Sequence, residues 1–202
     1  SVEFSPDDSE WGGDAPARNN NNNDDEKAQA TELARNQESL TAFLHRQALS
    51  LRLDDTDRAA LRFLIESLND DGYLEDSFQT LAESLAGDDL EQCEELVHRF
   101  QVALGLLQSL EPTGVGARDL GECLRLQLLA LPVQTDERMA VRDCALQICR
   151  QPLELLAKRD VKRLVVATGA TEMEVKVAMA LIARLEPKPG RRFVDVERNV
   201  VV

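Results

Sequence analysis

Aromatic side chains are scarce in this chain of 202 residues: they make up 4% of it, with one Trp and one Tyr. A β-sandwich core leans on aromatic and β-branched residues, whereas the apolar load here is Leu, Ala and Val, which suits helix packed on helix. Histidine is scarcer still, limited to His45 and His98. The four cysteines, Cys93, Cys123, Cys144 and Cys149, include no C-x-x-C pair, so the spacing of a zinc site is missing. They show no disulfide framework either, and buried thiols in a reducing cytoplasm are the expectation. No apolar run approaches 18 residues and no signal-peptide pattern opens the chain, so neither secretion nor a helical membrane span is expected.

Catalytic machinery is missing as well. There is no Gly loop ending in Gly-Lys-Ser/Thr, no dinucleotide fingerprint after a strand, and no histidine placed to serve a Ser or Cys nucleophile. Paired carboxylates are plentiful, but Asp54-Asp55, Asp70-Asp71 and Asp88-Asp89 fall at turns or helix starts. Asn69-Asp70-Asp71-Gly72 resembles a calcium loop only in composition. With Gly72 as the sixth loop residue, the first would be Ser67 and the twelfth Phe78, neither of them a ligand. We expect no catalytic residue, no metal and no cofactor.

What is present is charge, unevenly spread. The net charge is −14. Residues 1–38 carry net −7 and residues 39–149 net −11, while residues 150–202 carry net +4. An acidic surface repels phosphates, so most of the chain is a poor non-specific DNA binder. The basic last quarter alone welcomes a phosphate or an acidic partner.

Read in order, the chain is a succession of amphipathic helices. Residues 1–36, acidic and with five consecutive asparagines, cannot offset the entropy of ordering and are expected to be a disordered linker. A first helix carries Leu40, Phe43, Leu44, Gln47 and Leu51 on one face. A second is capped by Thr56 or Asp57, with Ala60, Leu61, Leu64, Ile65 and Leu68 as its stripe. A short helix comes next around 77–85, and Asp89 opens a long one reaching Leu107. Further helices are expected near 117–130, 136–150 and 152–157. A helix over 160–167, a turn at Gly169 and a helix from Thr171 to Leu185 then give a helix-turn-helix outline. Thr171 and Glu174 have capping-box spacing.

The punctuation between these helices is the most specific feature. In Gln108–Pro132, Pro112 stops one helix, Gly114 and Gly116 permit unusual backbone angles, and a new helix restarts around Ala117 or Arg118. Leu185-Glu186-Pro187-Lys188-Pro189-Gly190 echoes Leu110-Glu111-Pro112-Thr113-Gly114. Pro112, Gly114, Gly116, Pro187 and Gly190 are therefore the expected structural turn residues. The fold class is all-α: two small helical bundles, the second holding the helix-turn-helix-like pair. The expected boundaries are 1–36, 37–131 and 132–202, the last ending in an extended segment. The opening on Ser-Val and the ending on Val200-Val201-Val202 are what a piece of a longer protein would show.

Three strings carry a resemblance. Leu40–Gln47 with Leu64–Leu74 (LIESLNDDGYL), then Leu110–Leu124 (LEPTGVGARDLGECL), then Leu185–Gly190 (LEPKPG) resemble, in order and spacing, the core-binding region of the sigma-54 (RpoN-type) RNA polymerase sigma factors. Glu111 and Glu186 stand where that family usually has Asp, which keeps the charge. The resemblance implies a non-catalytic, cytoplasmic protein that binds core RNA polymerase and directs it to a distinct promoter class. It also implies partners outside this stretch: promoter DNA, read by C-terminal elements of the full-length factor, and an ATP-hydrolysing activator, met through an N-terminal glutamine-rich region. Under it, Arg118, Asp119, Lys188, Arg191 and Arg192 are candidate polymerase contacts. Without it, Arg118 and Asp119 read as a surface pair at a helix start, and Lys188, Arg191 and Arg192 as a solvated basic turn. The rival function is a DNA-binding regulator using 160–185, although Glu172 and Glu174 would then face a groove.

Overall fold

The computed structural model describes residues 21–36 and 38–194. Two units divide the chain, Ser1–Gln37 and Glu38–Val202, and each is taken on its own. Of the acidic segment expected to be disordered, residues 1–20 lie outside the described residues, and Asn21–Asn36 forms a helix, α1. Ala28, Ala30, Leu33, Ala34 and Arg35 are strong helix formers, and Asp24 sits in the first turn where the helix dipole favours a carboxylate. Of the expected extended C-terminal segment, 191–194 are helical and the rest lies outside the described residues.

In the second unit the helices are α2 (Leu40–Ala48), α3 (Asp55–Glu66), α4 (Phe78–Ala86), α5 (Leu90–Gln108), α6 (Leu120–Ala130), α7 (Asp136–Cys149), α8 (Leu153–Ala157), α9 (Val161–Thr168) and α10 (Glu172–Ala183). No strand occurs among the described residues. Local chemistry starts them. Ser39, Ser77, Asp89, Asp160 and Thr171 each accept a bond from the backbone N–H three residues on. Such a cap contributes about 0.5–2 kcal/mol. Thr171 and Glu174 form the full capping box. For α3 the cap is Asp54 rather than Thr56 or Asp57; its Oδ1 accepts from the Asp57 N–H at 2.7 Å. α6 starts after Asp119, slightly later than the periodicity places it, because Asp119 is a better cap than Ala117 or Arg118.

The buried side chains fall into two clusters. One draws on α2 to α5 and centres on Leu44, Leu61, Leu64, Phe100 and Leu107, all fully buried. Phe63 stacks on Phe100 with ring centroids 5.5 Å apart. The other draws on α6, α7, α9 and α10, with Leu128, Ile148, Leu164, Val175 and Ala178 at its centre. The change from one to the other falls between Val115 and Leu124, so α6 packs with the helices C-terminal to it. Phe193 crosses back: it is buried in the first cluster, tilted against Phe43 at 5.5 Å.

The two clusters are built on the same plan. In the first, α2 packs on α3, α3 on α5 and α4 on α5; in the second, α6 packs on α7, α7 on α10 and α9 on α10. Each series ends in Leu-Glu-Pro, at 110–112 and again at 185–187.

This packing makes two positions testable. A Cβ added at Gly105, on the exposed side of α5, meets nothing within 4 Å. Gly105→Ala is expected to raise stability by about 0.5–1 kcal/mol in a urea titration. Burial pushes the Cys149 thiol up to about 11, an effect that nearby Arg125 partly offsets. The unfolded thiol ionises first, near about 8.5, so this contribution is complete below that pH and fades as pH rises through the folded value. Cys149→Ala should flatten the alkaline limb of a stability-against-pH profile measured between about pH 7.5 and 10.5.

Candidate functional site

The three distinctive strings of the sequence meet at one place. The turn after α3 is set by Asn69, whose Oδ1 accepts from the N–H groups of Asp71 and Tyr73, both at 3.0 Å. This turn holds the first Leu-Glu-Pro loop on one side: Gly116 N–H donates to Gly72 O at 2.9 Å and Leu74 N–H to Ala117 O at 3.0 Å. It holds the second on another: Gly190 N–H donates to Asp71 O at 2.9 Å, and the Tyr73 hydroxyl donates to the Pro187 carbonyl. Lys188 Nζ lies 3.7 Å from Asp71 Oδ2. Burial, with Cys123 next to it, pushes the Tyr73 phenol above its usual range.

Each Leu-Glu-Pro loop is also clasped by a glutamine. The Gln47 side chain receives the Glu111 N–H at Oε1 (2.8 Å) and donates from Nε2 to Glu111 O (2.6 Å). Gln127 does the same to Glu186, with the same two distances. A carboxamide matches both a backbone donor and a backbone acceptor in this way. Gln47 and Gln127 occupy the same place in α2 and α6, the eighth helical residue of LTAFLHRQ and LGECLRLQ. Gln127 is the buried polar side chain of the described core, and its Nε2 also reaches Cys123 O at 3.3 Å.

The expected turn residues take up these positions. The Glu111–Pro112 peptide is cis, and Pro112, Gly114 and Gly116 are buried. Gly114 and Gly116 have φ of +98° and +79°. A Cβ on Gly114 would come within 2.8 Å of Cys123 Sγ. Pro187 is exposed and offers its carbonyl to Tyr73. Gly190 is needed for close approach: a Cβ there would press on Asp70 O and sit 2.8 Å from Gly72 N, both main-chain atoms that cannot yield.

The charged candidates divide. Arg118 is half-buried, its guanidinium 4.1 Å from the centroid of the Phe78 ring, while its N–H donates to Glu122 Oε2. Asp119 caps α6, accepting from Glu122 N–H at 2.8 Å, so the two make no surface pair among the described residues. Lys188 is tied to Asp71. Arg192 lies over Phe193, 4.7 Å from its centroid. Arg191 is exposed with no side-chain partner among the described residues. The structure thus gathers Lys188, Arg191 and Arg192 at the junction and sets Arg118 and Asp119 at the head of α6. Tyr73 and Gln127 are absent from the sequence-based candidates; a lone Gln on a core-facing helical stripe is the signal that marks the second.

Gly190→Ala is expected to cost over about 2 kcal/mol, because a backbone contact must be broken to admit the methyl group. Gln127→Ala should cost about 1–3 kcal/mol by leaving main-chain groups of Glu186 unpaired. Gln47→Ala, at a more exposed clasp, should cost less, and chemical denaturation of the three variants checks the order.

The chain matches known proteins over the span that holds these strings. Residues 29–202 match the family model described as sigma-54 factor, core binding domain. The chain is 33% identical over 201 residues to the RNA polymerase sigma-54 factor of Xanthomonas euvesicatoria, covering 99% of this chain and 40% of that protein. It is 39% identical over 165 residues to that of Pseudomonas aeruginosa (82% and 32%), and 32% identical over 171 residues to that of Bacillus subtilis (85% and 36%). It therefore spans about a third to two fifths of the length of these relatives. Matched over all three strings that meet at the Asn69–Leu74 turn, the chain belongs to the sigma-54 factor core-binding domain family.

Proposed function

We propose that this chain is the part of an alternative bacterial sigma factor that holds core RNA polymerase, and that it acts without catalysis, in the cytoplasm. The observation that carries this reading is the junction itself. The residues that make the chain resemble the family fix the relative position of two helical clusters, which is what a rigid two-point grip on a large partner requires. The charge distribution adds to it, with an acidic stretch through α5 and a basic one after Arg150 available for differently charged surfaces of that partner.

Within this reading Arg191 and Arg192 are the foremost contact residues, since neither is held by a carboxylate among the described residues. Lys188, Arg118 and Asp119 have structural partners and act as contacts only through the atoms those partners leave free. Promoter recognition and contact with an ATP-hydrolysing activator belong, in the same proposal, to other parts of a longer factor. The rival use of α9 and α10 as a DNA-reading pair is disfavoured by the first turn of α10. Glu172 and Glu174 are acidic there and Met173 is exposed at 72%, where phosphate and base contacts call for donors.

Direct binding measurements with core polymerase and, in parallel, duplex DNA test this. The chain should bind polymerase saturably and DNA weakly, with Arg191→Glu/Arg192→Glu weakening polymerase binding about tenfold, which corresponds to roughly 1.4 kcal/mol. Sequence-specific DNA binding without polymerase binding would replace the reading with the regulator.

A further inference from the structure

The two helical clusters correspond residue by residue. Aligning α2 with α6 pairs the buried Leu44 with Leu124, Ala48 with Leu128, and Gln47 with Gln127. Aligning α3 with α7 pairs Ala60, Leu61, Leu64 and Ile65 with Cys144, Ala145, Ile148 and Cys149, every one buried. Aligning α5 with α10 pairs Phe100 with Val175, Ala103 with Ala178 and Leu107 with Ile182, and runs on into the two Leu-Glu-Pro strings. The unit is one helical module used twice, so surface positions can be compared between copies as well as core ones.

Two exposed apolar positions recur. Leu49 and Leu129 are 76% and 61% exposed, and Val102 and Val177 are 46% and 44% exposed. Packing requires neither pair. In the second module Val177 lines an open groove of about 560 Å³ between the α6–α7 turn, α7 and α10. Its floor is aliphatic, made by Leu131, Val133, Val141 and Leu181, and its rim carries Arg138, Arg142 and Arg184. Arg142 reaches Asp143 at 3.5 Å, while its Nε is buried with no hydrogen-bond partner among the described residues. Arg138 and Arg184 have no carboxylate within 4 Å among the described residues. Asp136 and Glu137 share the first turn of α7 with Arg138 but form no ion pair with it among the described residues, and Glu172 at the start of α10 pairs with Lys176.

At the corresponding positions the first module keeps one of the three arginines, with Arg58 in the place of Arg142. The positions of Arg138, Val141 and Arg184 are occupied there by Asp54, Asp57 and Ser109. Asp54 caps α3 and Asp57 faces Arg99 at 3.8 Å. At this place the framework therefore carries a mixed-charge surface in one copy and an arginine-rimmed apolar groove in the other, while the first copy's own arginine-lined groove, with Arg46, Arg58 and Arg62, lies between α2 and α3. Such a groove is complementary to a segment with an apolar face and acidic flanks. Nucleic acid fits it less well, since the floor offers no aromatic ring for a base to stack on.

We propose that the groove between the α6–α7 turn and α10 docks an acidic amphipathic segment of core RNA polymerase. This rests on the polymerase-binding reading above and names one surface that performs it. The test is binding of this chain to core polymerase for wild type, Arg138→Glu/Arg184→Glu, Val177→Asp and the charge-matched control Lys27→Glu/Arg52→Glu, both exposed and outside the basic stretch after Arg150, with thermal melts confirming that each is folded. The arginine pair should lose at least about tenfold in affinity and much of the salt dependence, Val177→Asp should also bind more weakly, and the control should stay within about twofold. Equal affinity for the arginine variant, or an equal loss in the control, overturns the groove while leaving polymerase binding intact. A loss of duplex DNA binding with polymerase affinity unchanged would assign the groove to nucleic acid and overturn it too. Failure of the wild-type chain to bind polymerase would overturn the reading on which the groove depends.

Discussion

The main-chain bonds made by a single short turn, Asn69 to Leu74, constrain everything else in the second unit. Asn69 fixes the turn from within, and from there Gly72 and Leu74 bond to one loop while Asp71 bonds to the other. These bonds are backbone to backbone; glycine at 190 is what allows its loop to approach the turn closely enough, and glycine at 116 supplies the positive φ of the other loop. A salt bridge or an apolar contact in the same place would tolerate sliding. A paired set of short N–H to carbonyl bonds fixes both distance and angle, so the two modules are held in one arrangement.

The duplicated module explains why so much of the chain is punctuation. Each module buries its own core but leaves the end of its last helix open, and each copy closes that end with Leu-Glu-Pro and a glutamine from its first helix. Gln47 and Gln127 replace, with a side chain, the backbone bonds that a helix end would otherwise lack. At Gln127 the cost is a polar side chain in the core, and it is offset only because both of its hydrogen-bonding ends are satisfied.

Much of this was legible in the sequence because it is local. The periodic leucines place the helices, Asp89 and Thr171 announce their starts, and the prolines at 112 and 187 announce their stops. What could not be read is what joins distant positions. Gln47 sits within an apolar stripe and looks like a tolerated exception; its partner lies 64 residues away. Tyr73 and Pro187 are 114 residues apart. Phe193, beyond the second loop, packs in the first cluster, which no pattern around Arg191 and Arg192 announces. The acidic run at Asp70-Asp71 is similar: its spacing sets a calcium loop aside, but only the structure gives Asp71 its partners, Gly190 and Lys188. The candidate site was legible as strings and illegible as a place.

Native-state amide hydrogen exchange at Gly116, Leu74 and Gly190 tests the central claim most directly. If the turn locks both loops, these three amides exchange only through global unfolding, with the same free energy as the core amides of Leu64 and Ile148. Exchange of Gly190 through a lower-energy local opening, with Gly116 still protected, would show that the second module is merely tethered to the first, and would contradict the account.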